Sequence, residues 1–91
     1  MNEFVIEKNR IYLPGYKEDI AYGNFDEDEE VIIVNKIFVA EEYRGTGQKL
    51  GERLMEEIIN YSKSKGKKIN PRCSYAKHYG KKYNLKDIFV E

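Results

Sequence analysis

A short segment combines residue types that could bind a charged ligand. Residues 41–51 read EEYRGTGQKLG and place two glycines one residue apart before an amphipathic stretch. Glycines permit positive φ angles, so several backbone N–H groups can converge on one point together with the positive end of a helix dipole. Such a cluster prefers an anion, typically a phosphate, and Arg44, Lys49 and Arg53 would add positive charge. A bare G-x-G fits a simple tight turn equally well.

Neither common nucleotide-binding motif is present. The glycines are not followed by the Lys-Ser/Thr pair of G-x-x-x-x-G-K-[ST], and no third glycine stands where a dinucleotide-binding fold has one. An ordinary nucleoside triphosphate or dinucleotide is therefore a weak hypothesis.

A second segment, KKINPRCSYAKH at 67–78, holds the only cysteine and the only histidine. Cys73 ends a predicted strand and begins a predicted helix, where N-terminal amides and neighbouring cations would favour the thiolate. It could act as a nucleophile or line a pocket, or it could be an inert buried residue. Ser74 is expected to be the helix N-cap. His78 stands five residues after the cysteine, so a surface or cleft-edge role is favoured over that of a general base.

Length and composition set the limits. A chain of 91 residues predicts one small domain, 1–91, and its single cysteine excludes an internal disulfide or a zinc cluster. No apolar run could span a bilayer, and the acidic start lacks the basic flank of a secretory signal, so we expect a soluble cytoplasmic protein. The net charge is zero, but residues 1–45 carry −6 and residues 46–91 carry +6. The second half is where an anion would bind.

The hydrophobic pattern predicts the elements that position these segments. A hairpin of two strands (4–6 and 11–13), a strand near 20–24, a solvated acidic loop (26–30) and a strand over 31–39 covered on both faces are expected in the first half. A helix of four or five turns follows, because Leu50, Leu54, Ile58 and Tyr61 share one face, and Gly66 should cap it.

After the helix we expect a short strand (68–72), a short helix (74–83) and a last strand (88–90). Pro71 cannot donate to a strand ladder, so it must lie at an edge, a bulge or a splayed strand end. Three tyrosines at spacing four are most simply a packing stripe: Tyr75, Tyr79 and Tyr83. The strand, helix, strand unit requires a right-handed crossover, which predicts a mixed α/β (α+β) sheet with its ligand site after residue 39 and around residue 72.

The glycine segment, with the preceding VAEEYRG, resembles the acyl-CoA pyrophosphate loop Q/R-x-x-G-x-G/A of the GNAT superfamily of N-acetyltransferases. Lys49 stands where that pattern has Gly or Ala. The second segment resembles the K-x-x-P-x-C-S-[YF]-A-K/R stretch of short, single-domain GNAT-like proteins, at a matching distance of about 20 residues, and two ordered motifs are more specific than one. Related short proteins often carry His-Thr where this chain has Lys36 and Ile37.

The resemblance implies a sheet whose fourth and fifth strands splay apart to receive acetyl-CoA. It implies these cofactor-binding residues: Phe38, Val39, Arg44, Gly45, Thr46, Gly47, Gln48, Lys49, Cys73 and Lys77. The candidate catalytic residues are Cys73, His78 and Tyr79, the last as a proton donor to the leaving thiolate. No metal is implied.

The leading hypothesis is an N-acetyltransferase that uses acetyl-CoA and an unidentified amine, a small molecule or a protein. The alternative is a non-catalytic acyl-CoA-binding or sensing module, since little chain follows Tyr83 to build an acceptor pocket. Nucleic-acid binding ranks last, because the lysines follow no single groove and the net charge is zero. We expect no membrane partner and a monomer or weak dimer.

Overall fold

The computed structural model describes residues 3–15, 18–45, 47 and 49–90. In chain order its elements are β1 (Val5–Glu7), β2 (Arg10–Leu13), β3 (Ala21–Glu27), β4 (Val31–Val39), a 3-10 turn (Glu41–Tyr43), α1 (Leu50–Lys65), β5 (Lys68–Pro71) and α2 (Ser74–Lys82). The strands form one sheet in the order β1-β2-β3-β4-β5, and only β4 and β5 run parallel. This is the mixed α+β sheet with two helices that the sequence predicts.

Helix α1 covers one face of the sheet because a parallel strand pair needs a crossover between its members. Its side chains Leu54, Met55 and Ile58 are fully buried, and each such burial contributes about 1.5 to 3 kcal/mol. At Gly23 a Cβ atom would lie 3.0 Å from Ile37 and 3.3 Å from Ile58, so the missing side chain lets the helix approach β3 closely. Gly66 caps the helix with φ of 67°, as predicted.

The opposite face of the sheet is only partly covered. Tyr22 and Phe38 stack there with ring centroids 5.0 Å apart, and the Arg10 guanidinium lies 4.6 Å from the Tyr12 ring centroid and 5.1 Å from that of Tyr22. Lys36 is exposed on the same face. The prediction that β4 is covered on both faces is therefore wrong for this half of the strand, since its apolar run includes Phe38, whose ring packs along the sheet surface.

The pairing of β4 with β5 stops partway along β4. Residues Val31–Val34 pair with Lys68–Pro71, after which the backbone N–H groups of Arg72 and Cys73 both donate to the Val34 carbonyl. A register shift against β3 leaves Asn35 as an extra residue in β4. Such a bulge bends its strand, and Pro71 has no N–H with which to extend the ladder. The two parallel strands therefore separate beyond Val34.

Two other expectations differ from the structure. The acidic run is not all loop, because Asp26 and Glu27 end β3 and only Asp28–Glu30 turn the chain. The expected last strand is reduced to a bridge between Ile69 and Phe89, with hydrogen bonds from Ile69 N–H to Ile88 and from Val90 N–H to Ile69. Within the described ranges, no helix is long and apolar enough to cross a membrane.

Glu27 ties the turn before β4 to the far end of α1. Its carboxylate accepts hydrogen bonds from Lys67 Nζ at 2.5 Å and from the Tyr61 hydroxyl at 2.7 Å. The Lys67 bond, followed by that of Tyr61, holds the pKa of Glu27 below its ordinary value. Lys67, which lies 40 positions later in the sequence, thus anchors the mutually repulsive acidic run.

Replacing Glu27 by Gln should remove part of the acid sensitivity of the fold. A carboxyl whose pKa is lowered in the folded state stabilises the protein above its unfolded pKa, and that stability is lost as the pH falls. We expect Glu27→Gln to lower the free energy of unfolding at pH 7 by about 1 kcal/mol, with a smaller further loss than the unmodified protein between about pH 5 and pH 3. Urea unfolding across this range measures both effects. Glu29→Gln, in the exposed turn, is the control, and an identical pH slope for Glu27→Gln and the parent would contradict the assignment.

Candidate functional site

The loop before α1 contains alternate residues with positive φ. Gly45, Gly47 and Lys49 have φ of 72°, 84° and 53°, whereas Thr46 and Gln48 lie outside the described residues. The N-cap position of α1 is Lys49, whose side chain makes no capping hydrogen bond. Among the described residues, no side chain caps the first amides of α1, which is the arrangement that accepts an anion at a helix N-terminus.

Lys49 occupies a conformation that suits glycine. Its φ and ψ of 53° and 47° are left-handed, which costs an L-residue about 1 kcal/mol. The loop pattern that the sequence resembles has a small residue here, and the backbone angle supplies a physical reason for glycine. Lys49, which departs from that pattern, thus occupies a strained position in the loop.

A cleft lies where β4 and β5 have separated. Its volume is about 390 Å³, and its lining residues come from β4, the loop and the starts of both helices: Ile37, Val39, Arg44, Gly45, Gly51 and Tyr75. The Ala40 N–H donates to Ile20 on the β3 side. Since backbone groups alternate sides along a strand, those of Ile37 and Val39 face the cleft. The cleft therefore has apolar walls and one edge of strand backbone beyond the β5 pairing.

Arg44 joins the loop to the mouth of this cleft. Its Nε donates to the Val39 carbonyl at 2.8 Å, and its guanidinium carbon lies 5.8 Å from the Phe38 ring centroid. The side chain is exposed, so its terminal N–H groups are accessible to an anionic ligand. Val39 thus lines the cleft directly, whereas Phe38 lies on the other face of the sheet and supports Arg44.

Tyr75 is a cleft residue that sequence reasoning assigned to a packing stripe. An ideal Cβ on Gly51 would lie 2.8 Å from the Tyr75 hydroxyl oxygen, so the tyrosine packs directly over the start of α1. Burial, and then the negative charge of Glu52, raises the pKa of Tyr75 above its ordinary value. The available signal was its position in the first turn after β5, at the same sheet edge as the glycine loop.

The three predicted catalytic residues lie in different surroundings. Cys73, not Ser74, is the N-cap of α2: its half-buried Sγ accepts a hydrogen bond from the Ala76 N–H at 3.4 Å and packs against the core. His78 is exposed. Tyr79 is buried against the core, and its ring lies tilted against that of Tyr83 with centroids 4.7 Å apart. Burial raises the pKa of Tyr79 to about 12. None of these three side chains lines the cleft.

The predicted cofactor-binding residues also lie in different surroundings. Val39, Arg44 and Gly45 come together around the cleft, and Gly47 and Lys49 lie in the adjoining loop. Lys77 is exposed and lines a separate groove on the outer side of α2.

The family model described as GCN5-related N-acetyl-transferase matches residues 4–88. The chain therefore belongs to this N-acetyltransferase family, which confirms the resemblance carried by the loop and by the segment around Cys73. No curated protein matches the chain significantly.

Solved structures agree on the fold. The NMR solution structure of a GCN5-like protein from Staphylococcus aureus is similar with a TM-score of 0.77 and 22% identity, over 97% of this chain and 87% of that one. A crystal structure of a protein of unknown function from meticillin-resistant Staphylococcus aureus gives a TM-score of 0.61 and 23% identity, over 90% of this chain and 61% of that one. At these identities the likeness shows the shared fold.

Replacing Lys49 by Gly should stabilise the protein. Glycine adopts the left-handed conformation without the Cβ penalty, so we expect the free energy of unfolding to rise by about 0.5 to 1 kcal/mol. Lys63→Gly, at a right-handed helical position, is the matched control and should lower it by up to about 1 kcal/mol. Urea unfolding of both variants is the measurement, and a loss of stability in Lys49→Gly would contradict the strain.

Proposed function

We propose that this domain binds acetyl-CoA in the cleft between β4 and β5 and transfers the acetyl group to an amine. The observation that carries the proposal is the ending of the β4–β5 ladder at Val34 and Pro71. It lies directly beside a loop whose positive-φ residues lead into a helix whose N-cap residue, Lys49, makes no side-chain capping hydrogen bond. An extended ligand arm and a diphosphate need these two features side by side.

The extended arm of the cofactor would take the place of a missing strand. The arm carries amide groups, and the backbone groups of Ile37 and Val39 on the open edge of β4 can hydrogen-bond with them. The Val39 carbonyl already accepts a hydrogen bond from Arg44, so the Val39 N–H and the Ile37 C=O are the better partners for the arm, which leaves the Ile37 N–H for the thioester. The apolar walls given by Ile37, Val39 and Tyr75 would exclude water from the arm.

The diphosphate would bind at the loop from Arg44 to Lys49. The first amides of α1 and the helix dipole favour negative charge, and the exposed guanidinium of Arg44 can donate further hydrogen bonds. Gly45, Thr46, Gly47 and Gln48 are assigned to the same site by the family pattern.

The reaction needs an amine nitrogen to attack the thioester carbonyl carbon, after which the C–S bond breaks. The amine loses a proton to water, and the leaving thiolate takes a proton from an acid. We assign this acid role to Tyr75, because it lines the cleft, its hydroxyl lies beside Gly51, which also lines the cleft, and a tyrosine hydroxyl is protonated at neutral pH. The Ile37 N–H can stabilise the oxyanion as charge develops.

Cys73, His78 and Tyr79 stay candidates of the same proposal. Cys73 begins α2 two residues before Tyr75, so it can position the helix start even if it never accepts an acetyl group. A cytoplasmic location and a monomeric or weakly dimeric state belong to this proposal as well.

The binding step is tested with Arg44→Glu. Reversing this charge should weaken acetyl-CoA binding at least tenfold, because the side chain would repel the diphosphate and release the Val39 carbonyl. Isothermal titration at low salt gives the dissociation constant, and far-UV circular dichroism checks the fold. Lys63→Glu, an equal charge change in the last turn of α1, should bind as the parent does. Equal affinities in the two variants would count against the site.

The transfer step is tested with Tyr75→Phe. We expect unchanged acetyl-CoA affinity and a rate of transfer to butylamine from labelled acetyl-CoA reduced about 100-fold, since the thiolate loses its acid. Tyr83→Phe is the matched control, because the Tyr83 hydroxyl bonds Glu52 away from the cleft. Full activity in Tyr75→Phe would remove this assignment. Binding by the parent with no transfer to any amine would favour the non-catalytic module instead.

Gly51→Ala disturbs the same hydroxyl from the opposite side. The new methyl group would lie 2.8 Å from the Tyr75 oxygen, so the ring must move into the cleft or out of it. A helical Gly→Ala change itself favours folding by up to about 1 kcal/mol. We therefore expect undiminished stability together with weaker acetyl-CoA binding, and unaltered binding would show that the Tyr75 ring does not border the cofactor arm.

A further inference from the structure

A second and larger cavity lies outside the cofactor cleft. This basic groove has a volume of about 1200 Å³ and is lined by α2, by the chain that follows α2, by Ile33 of β4 and by the end of β5. No residue that the structure describes lines both this groove and the cleft described above. The groove and the cleft are therefore separate parts of the protein surface.

The described residues of the basic groove carry charges of one sign. Their ionisable side chains are Arg72, Lys77, Lys81 and Lys86, and no carboxylate side chain is among the described lining residues. Each of the four is exposed, and none forms an ion pair with any carboxylate in the part of the chain that the structure describes. Elsewhere in the same region cations do find partners, as Lys82 does with Glu52 at 2.8 Å. Four cations with no ion-pair partner among the described residues, in one concave surface, favour an anionic occupant.

The walls of the basic groove are held in place by packing. Phe89 lies against Gly80 of α2, where an added Cβ would come within 2.6 Å of the ring. The segment that carries Phe89 is hydrogen-bonded to β5 through Ile69, whose N–H donates to Ile88 and whose carbonyl accepts from Val90. Leu85 and Ile33 add further apolar surface. The groove thus combines an apolar floor with a charged rim, and packing within the protein is enough to form it.

The basic groove begins where the parallel strands separate. Pro71 and Arg72 line its inner end, and Pro71 pairs with Val34 in the last pair of the β4–β5 ladder. The cofactor cleft opens beyond that same pair. A molecule in the groove can therefore extend an amine toward the separation of the strands while the rest of it lies along α2.

We propose that the acceptor is an amine carried by an acidic peptide segment, and that this segment lies in the basic groove. The inference rests on the proposed function and adds the class of acceptor to it. The volume exceeds the roughly 300 to 1,000 Å³ of small-molecule pockets, which favours a chain segment over a small metabolite. A peptide supplies carboxylates for the rim, apolar side chains for the floor, and a nucleophilic amine at its N-terminus or on a lysine.

A nucleic acid fits the same charges less well. Single-stranded nucleic acids are bound by stacking successive bases on aromatic or guanidinium planes. The described lining of the groove offers one ring, Phe89, which already packs on Gly80, and one guanidinium, Arg72. The exocyclic amines of bases are also poor nucleophiles compared with an alkyl amine. The acidic first half of the chain, which would suit a cationic acceptor, does not contribute a carboxylate to this groove.

The experiment measures peptide binding and transfer separately. Three fluorescent hexapeptides with free N-termini are used: one with three carboxylates and two leucines, its Gln/Asn counterpart, and its Lys counterpart. Each is titrated by anisotropy into the coenzyme A-loaded protein, and acetylation is followed by mass spectrometry with acetyl-CoA. Exposed ion pairs are individually weak and screened by salt, so we expect about a tenfold preference for the acidic peptide that disappears at 0.5 M salt.

The variant Lys81→Glu/Lys86→Glu should abolish that preference in both binding and KM, with the dissociation constant of acetyl-CoA unchanged. Lys8→Glu/Lys63→Glu carries the same charge change at exposed positions outside the groove and should retain the preference.

Four results would overturn the inference. These are equal binding of the three peptides, weakened acetyl-CoA binding in the groove variant, tighter binding of a single-stranded oligonucleotide than of the acidic peptide, and equal competition by O-phosphoethanolamine. Failure of the proposed function is read independently, as absence of acetyl-CoA binding by the parent protein.

Discussion

The separation of the two parallel strands is the constraint on which the rest of the structure depends. Backbone groups that leave a ladder must find other partners, and here the Val34 carbonyl accepts two N–H groups at once, from Arg72 and Cys73. The bulge at Asn35 bends β4 at the same level, and Pro71 ends β5 without an unused donor. The gap is thus built into the backbone, and ligand binding is not needed to open it.

Helix α1 connects the two sides of this gap. It starts beside the open half of β4 and returns the chain to β5, so the loop before it lies at the mouth of the cleft. The strained φ of Lys49 and the close approach of Tyr75 to Gly51 both arise at this start of the helix. A fold of this size has a small core. The strained backbone of Lys49 nevertheless lies beside the cleft, as is common at binding sites.

Charge is distributed between two surfaces with different tasks. The loop places Arg44 beside helix amides, where one diphosphate can be bound at short range. The basic groove spreads four cations over a longer apolar surface, where each interaction is weak and the sum selects the sign of the occupant. The contrast between the two halves of the sequence therefore reflects local surfaces that a net charge of zero conceals.

The sequence by itself determined the elements whose signals are local. The hairpin, the apolar run of β4, the amphipathic period of α1, the Gly66 cap and the glycine loop each depend on neighbours a few residues apart, and all five lie close to where the pattern predicts them. Two ordered motifs also sufficed to indicate the family. The partial covering of β4 was misjudged because an apolar run does not show whether a second layer covers it.

Only the tertiary structure decided which side chains meet. Tyr75 and Gly51 are 24 positions apart, and Glu27 and Lys67 are 40 apart, so no local pattern records either contact. The same holds for the basic groove. In the sequence its lysines resemble ordinary solvated positions, and they line a concave surface only because Phe89 packs on Gly80. The positions of Cys73 and Tyr79 follow this rule as well: their residue types suggested chemistry, but helix α2 turns one into a cap and the other into core. The face of a helix that borders a cleft is set by how the helix packs on the whole sheet, and a local sequence pattern does not contain that information.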